Sequence, residues 1–170
     1  MFGKVKSPRE LFEIELCYAY DCEKKLAEKG LPDMIENASS HELQAALKQH
    51  LQETQNQVMR LDRIFGAIGT KPDTKDNDIL DEMISAAKDS ISNIEPSPLR
   101  DTALIVNGNL VEHYEIATYG TLAAFARNLG LQTVVGLLEE TLAEEKRADA
   151  KLTQLGESIL NPQAARHQTA

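Results

Sequence analysis

The sequence of 170 residues is 42% apolar and carries a formal charge of −9 at pH 7, which allows one buried core and disfavours two. The acidic balance also disfavours nucleic-acid phosphates and anionic membrane surfaces as partners. No apolar run approaches the roughly 18 residues of a membrane span. Cys17 and Cys22 point to different sides of one predicted helix and cannot easily bridge, so we expect a reduced, cytoplasmic protein.

Apolar residues recur at three- and four-residue intervals between clusters of glycine and proline, a pattern typical of helices. Ser7-Pro8, Ser39 or Ser40, and Ser97-Pro98 are capping signals that open three of the helices. No stretch shows the alternation of a strand. The predicted long helices are A from about 8 to 28, with a kinked or broken continuation past Pro32 as the alternative, B from about 40 to 65, C from about 98 to 129 and D from about 131 to 156.

The connection between helices B and C is by far the longest and contains a shorter predicted helix, residues 77 to 94. The other connections are short and predict antiparallel hairpins. One long crossover between otherwise hairpin-connected helices is typical of ferritin-like proteins. We therefore predict an all-α fold, a ferritin-like antiparallel four-helix bundle over residues 1–160, followed by a flexible C-terminal tail over 161–170.

Helices B and D share an internal repeat. When residues 50–62 are aligned with residues 137–149, five of the thirteen positions are identical. One of these matches pairs Glu53 with Glu140. In a bundle built from two related hairpins, the two acids are expected at similar depth on opposite sides of the core.

The inward-facing line of each long helix turns polar near its middle. Helix C is apolar along this line except around Glu115, with Glu112 one turn before it. Helix A offers Glu23, with Glu15 as a second candidate. In helix B the polar positions are His50, Glu53, Thr54 and Gln57, and in helix D they are Glu140, Thr141 and Glu144.

Acidic side chains at the same depth on four helices predict a metal centre. A buried carboxylate costs free energy unless it is paired, protonated or bound to metal, and several together repel until a multivalent cation neutralises them. Carboxylates with one imidazole suit Fe or Mn, with Zn as a further option. The candidate ligands are Glu23, His50, Glu53, Glu112, Glu115, Glu140 and Glu144.

Several roles stay open at this point. The usual Glu-x-x-His order is reversed in helix B, so His50 is either a ligand or a hydrogen-bond partner of one, with Gln57 as the alternative ligand. Tyr119 is either a core aromatic or a phenol that orients a ligand carboxylate. His113 is adjacent to Glu112 but off the inward line, which favours a surface or interface role.

The segments HLQETQNQVMRLDRIF, VEHYEIATYGTLA and EETLAEEKRADAKLT, together with YDCEKKL of helix A, resemble the YciE/YciF family of bacterial stress-associated, ferritin-like proteins. The resemblance covers about residues 7 to 156. It implies a rubrerythrin- or ferritin-like bundle, often a homodimer, with a di-metal centre and no established reaction. It does not decide which of the candidate residues bind metal.

Two functions are compatible with these patterns. The first is a protein that binds two metal ions, Fe or Mn, and reacts with O₂ or peroxide. The second is a structural or partner-binding bundle with a vestigial metal site, in which hydrogen bonds and basic residues satisfy the acids. No rubredoxin-like cysteine cluster is present, so redox turnover would need an external reductant.

Overall fold

A computed structural model of the chain describes residues 4–167 and contains helices but no strand within that range. The all-helical prediction is therefore confirmed. No helix in this range combines the length and apolar composition needed to cross a bilayer. The helices are α1 (Pro8–Lys25), α2 (Leu31–Asn37), α3 (His41–Ala67), α4 (Asp78–Asn93), α5 (Pro98–Asn128), α6 (Gln132–Leu155) and α7 (Asn161–His167).

Serine caps start three of the long helices where the sequence predicts them. The hydroxyl of Ser7 accepts a hydrogen bond from the Glu10 amide at 3.1 Å, and Ser40 and Ser97 cap α3 and α5 in the same way. Each cap satisfies an amide that has no partner inside the helix. Gly130 follows α5 with φ of 73°, a left-handed conformation that glycine adopts without strain and that ends the helix.

Two π-helical turns link long helices to the short helices that follow them, and the first of these continues helix A past Pro32. Leu26–Gly30 joins α1 to α2, and Gly156–Leu160 joins α6 to α7. The second turn directs Leu160 and Ala164 into buried positions, and α7 packs against α5. Residues 161–167 are therefore a docked helix rather than the flexible tail that we predicted; residues 1–3 and 168–170 lie outside the described range.

A layer of buried polar residues separates two apolar clusters. The first cluster includes Phe12, Leu16, Leu61, Ile64, Leu122 and Leu138. The second cluster includes Leu26, Leu43, Leu47, Leu104, Leu152 and Leu155. The polar layer consists of Glu23, His50, Thr54, Gln57, Glu112, Glu115, Thr141 and Glu145. The prediction that all four long helices turn polar near mid-length is confirmed.

The order of these clusters along each helix gives its sense. Helices α1 and α6 run from the first cluster to the second, whereas α3 and α5 run from the second to the first. The connection between α3 and α5 spans residues 68–97 and contains α4, which packs on α5. The chain therefore returns across the length of the bundle before α5 begins.

Candidate metal centre

Side chains from three helices converge in the polar layer. His50, Glu112, Glu115 and Glu145 each offer one ligand atom, and these atoms all lie within 4.8 Å of one another. All four residues are buried, and Glu145 is 0% exposed. Glu23 of α1 joins the same group, because its charge interacts with those of His50 and Glu112. Each of the four long helices thus contributes at least one acid or imidazole.

His50 lies among three of the acids. Its Nε2 is 3.1 Å from Glu112 Oε1 and 4.0 Å from Glu145 Oε2, and its Nδ1 is 3.9 Å from Glu53 Oε2. Burial alone would lower the pKa of His50, but these carboxylates, Glu112 foremost, raise it well above its ordinary value. The carboxylates therefore favour the protonated form of His50, and a metal ion that binds this imidazole would displace the proton.

Three neighbouring side chains each donate a hydrogen bond to one of the buried acids. The Tyr119 hydroxyl donates to Glu23 Oε1, and the Cys22 thiol donates to Glu115 Oε1 at 3.6 Å. The Gln57 amide donates to Glu145 Oε1. The sequence left Tyr119 either as a core aromatic or as a phenol that orients a ligand carboxylate; its ring packs in the first apolar cluster, and its hydroxyl contacts Glu23. Gln57 positions Glu145 through the same kind of contact.

The acids are strongly perturbed because they are buried together. Burial raises the pKa of Glu23 to about 7, although hydrogen bonding from Tyr119 and the charge of His50 oppose the rise. Burial and then the charge of Glu23 raise the pKa of Glu145 to about 10. The pKa of Glu115 lies well above its ordinary value for the same two reasons. Without a cation, these groups hold protons that carboxyl groups in water release.

Five buried ligand atoms in the cluster have no hydrogen-bond partner among the described residues. They are Glu23 Oε2, His50 Nδ1, Glu112 Oε2, Glu115 Oε2 and Glu145 Oε2. A protein seldom buries so many polar atoms without partners, because each costs roughly 1–3 kcal/mol. Metal ions would satisfy all of them, and a set of carboxylates with one imidazole fits Fe or Mn.

Glu53 lies at the edge of the cluster. Its side chain is 25% exposed, and the amide of Gln49 donates to Glu53 Oε1 at 3.2 Å. It borders a cleft in the surface whose other walls include His50 and Glu112. Glu53 is therefore the candidate ligand that stands between the buried acids and solvent.

Two of the predicted ligands on α6 are not brought into the cluster. The Glu140 side chain is 58% exposed and lies 2.9 Å from Arg60 Nη2. Both oxygens of Glu144 accept hydrogen bonds from Arg60, at 2.8 and 3.0 Å, and Gln57 donates to one of them. Arg60, which is 7% exposed, thus neutralises the acids that we assigned to metal.

The inward-facing line that we predicted for α6 passes through Thr141 and Glu144. Thr141 is buried as predicted, but Glu145 is buried in place of Glu144. The buried positions of α6 are Val134, Val135, Leu138, Thr141, Glu145, Leu152 and Leu155. Leu138, Thr141, Glu145 and Leu152 follow one another at intervals of three, four and seven residues, so a face through Glu145 is compatible with helical periodicity as well. Glu145 is the cluster residue that our sequence analysis missed.

His113 lies outside the cluster, as predicted. Its side chain is 70% exposed, and its Nε2 is 3.4 Å from Asp149 Oδ1. The neighbouring Glu112 is buried because adjacent residues on a helix point about 100° apart. His50 of α3, and not His113 of α5, therefore supplies the imidazole of the site.

Comparisons with known proteins assign the chain to a family. Residues 7–165 match the model of a domain of unknown function, DUF892. The chain is 35% identical over 161 residues to Protein YciF of Escherichia coli K12, covering 94% of this chain and 96% of YciF.

Two solved structures also match this chain over most of its length. The crystal structure of the Escherichia coli stress protein YciF superposes with a TM-score of 0.88 at 36% identity, covering 92% of this chain and 99% of that one. YcfI of Rhodopseudomonas palustris, whose suggested role is structural, superposes with a TM-score of 0.86 at 38% identity, covering 90% and 98%. The chain therefore belongs to the DUF892 family and is a relative of the stress protein YciF, as its sequence resemblance predicts.

Proposed function

We propose that this protein is a ferritin-like, stress-associated protein that binds two metal ions. Fe is the preferred metal, and Mn or Zn are the alternatives. The five buried ligand atoms without partners are the observation that carries this proposal. The residues that would hold the metal are Glu23, His50, Glu53, Glu112, Glu115 and Glu145. In this set Glu145 takes the place of Glu140 and Glu144, which Arg60 neutralises.

The ferritin-like assignment is supported by helix direction. Helices α3 and α5 run in the same sense, and the connection between them contains α4. These two helices are consecutive among the four long ones, and consecutive helices of the same sense need a crossover; one such crossover distinguishes ferritin-like bundles from simple up-and-down bundles. The ligands then project from all four long helices into the centre of the bundle, where this class of protein builds its metal sites.

The chemistry that we propose is reaction with O₂ or peroxide: Fe²⁺ or Mn²⁺ held by these carboxylates would supply the electrons for the oxidant, and an external reductant would restore them, whereas Zn²⁺ would bind without this chemistry. The residues of the chain have separate parts in it. Glu112 and His50 lie at the inner end of the surface cleft, where an oxidant would arrive. Tyr119, Cys22 and Gln57 each hold one oxygen of an acid and leave the second oxygen free for metal.

A structural role is the second candidate function, because YcfI of Rhodopseudomonas palustris carries that suggestion. In that case the cluster would stay protonated and metal-free. In either case we propose a cytoplasmic homodimer that binds neither nucleic acid nor membranes, in keeping with a formal charge of −9.

Metal content distinguishes the two functions. Protein expressed in iron-rich medium and purified without chelators should contain about two metal ions per chain by elemental analysis. Less than about a tenth of an equivalent of Fe, Mn and Zn combined, after anaerobic reconstitution with Fe²⁺, would contradict the metal-binding function and favour the structural one.

Replacing Tyr119 with phenylalanine should weaken metal binding without unfolding the protein. The phenol is the hydrogen-bond donor to Glu23 Oε1, and loss of a group that orients a ligand typically reduces affinity about 10- to 100-fold. Competition with a chromophoric chelator measures this change. Tyr20→Phe is the matched control, because the Tyr20 hydroxyl donates to Asp62 on the surface of the same bundle. Equal affinities for wild type and Tyr119→Phe would exclude the orienting role.

A further inference from the structure

A cleft between α3 and α6 opens at the surface and ends at the candidate metal centre. Its volume is about 260 Å³, and His50, Glu53 and Glu112 lie among its lining residues. A cavity of this size has room for a small organic molecule as well as for water or an oxidant. The cleft therefore has the dimensions of a ligand site attached to the metal centre.

Two basic residues line the α6 wall of the cleft. Arg147 and Lys151 are four residues apart, so they lie on the same side of the helix. Neither forms an ion pair with another residue in the described range, and Arg147 interacts with Glu53 only through the longer-range attraction of their charges. Arg60, by contrast, is paired with two glutamates. Two adjacent cations without an ion-pair partner, in a protein of formal charge −9, favour an anionic group at this wall.

The remaining surface of the cleft is largely apolar. Ala46 and Leu47 of α3 face Ala148 and Leu152 of α6. A bare inorganic anion would leave these side chains in contact with water, and a neutral apolar molecule would leave the two cations without a counter-ion. The combination of charges with an apolar wall therefore fits a molecule that has both an anionic end and a hydrocarbon body.

The two carboxylates in the cleft do not oppose this assignment once metal is bound. Glu53 and Glu112 are the acidic residues among the lining side chains, and both belong to the proposed ligand set. Metal ions would neutralise them and leave Arg147 and Lys151 as the charges that an arriving molecule meets.

We propose that the cleft binds a small organic carboxylate, with its carboxylate at Arg147 and Lys151 and its hydrocarbon body between α3 and α6, directed towards His50 and Glu112. This inference rests on the proposed function, because it names the ligand class of the same centre. It places the hydrocarbon end, and not the charged end, nearest the candidate metal ligands.

Hexanoate is a suitable probe, and its binding to the iron-loaded full-length protein can be measured by isothermal titration calorimetry. Hexan-1-ol and acetate, which lack the charge and the hydrocarbon body respectively, should each bind at least about tenfold more weakly, a difference of about 1.4 kcal/mol. The double variant Arg147→Gln, Lys151→Gln should lose at least as much affinity. The double variant Arg63→Gln, Lys146→Gln is the control, since it removes the same charge from exposed positions outside the cleft.

The outcomes separate this inference from the proposed function because metal content is measured on the same samples. Absence of hexanoate binding at about 10 mM to protein that holds two metal ions, or equal binding by both double variants, would overturn the inference alone. Protein that takes up no metal but binds hexanoate through Arg147 and Lys151 would overturn the proposed function and leave the carboxylate site standing.

Discussion

Replacing Glu145 with glutamine is expected to reduce the metal content from about two ions per chain to one or fewer. Glu145 is the completely buried member of the cluster on α6, and its Oε2 lies 4.0 Å from His50 Nε2. Glutamine keeps the volume and can still accept the hydrogen bond from Gln57, so the substitution removes the charge and little else. Elemental analysis after anaerobic reconstitution with Fe²⁺ measures the result.

Glu140→Gln is the matched control for this experiment. Glu140 is on the same helix, but its side chain is exposed and paired with Arg60, so we expect metal content equal to that of wild type. Metal loss in Glu140→Gln together with retention in Glu145→Gln would show that the sequence-based ligand set, and not the one drawn from the structure, is correct.

A second test shows that any loss of metal in Glu145→Gln is not caused by unfolding. In the metal-free state the charged form of Glu145 is costly, because burial and the charge of Glu23 raise its pKa to about 10. A neutral amide avoids this cost. Metal-free Glu145→Gln should therefore be at least as stable as metal-free wild type at about pH 8, as measured by urea denaturation.

The metal-free protein should lose stability as the pH rises. Glu23 has an ordinary pKa of 4.5 that is raised to about 7 in the folded state, so the folded state binds its proton more tightly. The resulting stabilisation is complete below about pH 4.5 and is lost as the pH rises to about 7. Glu145 extends the loss towards about pH 10, and the raised pKa of His50 acts in the same direction. The contribution of Glu23 alone is on the order of 3 kcal/mol at most.

Metal should reverse this dependence. Carboxylates release their protons when they bind a cation, so metal binds more tightly at higher pH. Free metal at about a hundred times its dissociation constant adds about 3 kcal/mol to the free energy of unfolding. Urea denaturation at about pH 5.5 and about pH 8, with and without Mn²⁺ after treatment with a chelator, gives the four values. A metal-free protein that is more stable at about pH 8, or a metal effect that is larger at about pH 5.5, would contradict the arrangement described here.

The helices and the polar layer were predictable because their signals are local. Ser7, Ser40 and Ser97 cap helices within one turn, and the change from apolar to polar residues recurs at the same depth in four separate segments. The short helix within the long connection was predicted for the same reason, and Asn77 caps it. These features depend on side chains only a few residues apart.

The choice between adjacent acids on α6 was harder. Leu137 and Leu138, Glu139 and Glu140, and Glu144 and Glu145 are doubled residues, so two helical faces one residue apart have nearly the same pattern. The deciding contacts come from α3, where Arg60 attracts Glu140 and Glu144 to one side and leaves Glu145 buried. An interaction between residues about 80 positions apart has no local signature.

The C-terminal helix was missed for a different reason. Its seven residues, Asn161–His167, are too few to show a clear period, and a helix of that length is marginal on its own. It forms in the context of the π-helical turn that precedes it and of its packing on α5. The direction of the chain after Leu155 depends on this packing, so it follows only from the three-dimensional structure.

Anomalous diffraction from crystals grown anaerobically with Fe²⁺ tests the central claim most directly. We expect two peaks at the iron edge, about 3.5–4 Å apart, both inside the polar layer and bordered by Glu23, His50, Glu53, Glu112, Glu115 and Glu145. The claim would be contradicted by crystals in which iron binds elsewhere and not in the polar layer, or by peaks at Glu140 and Glu144 on the far side of Arg60.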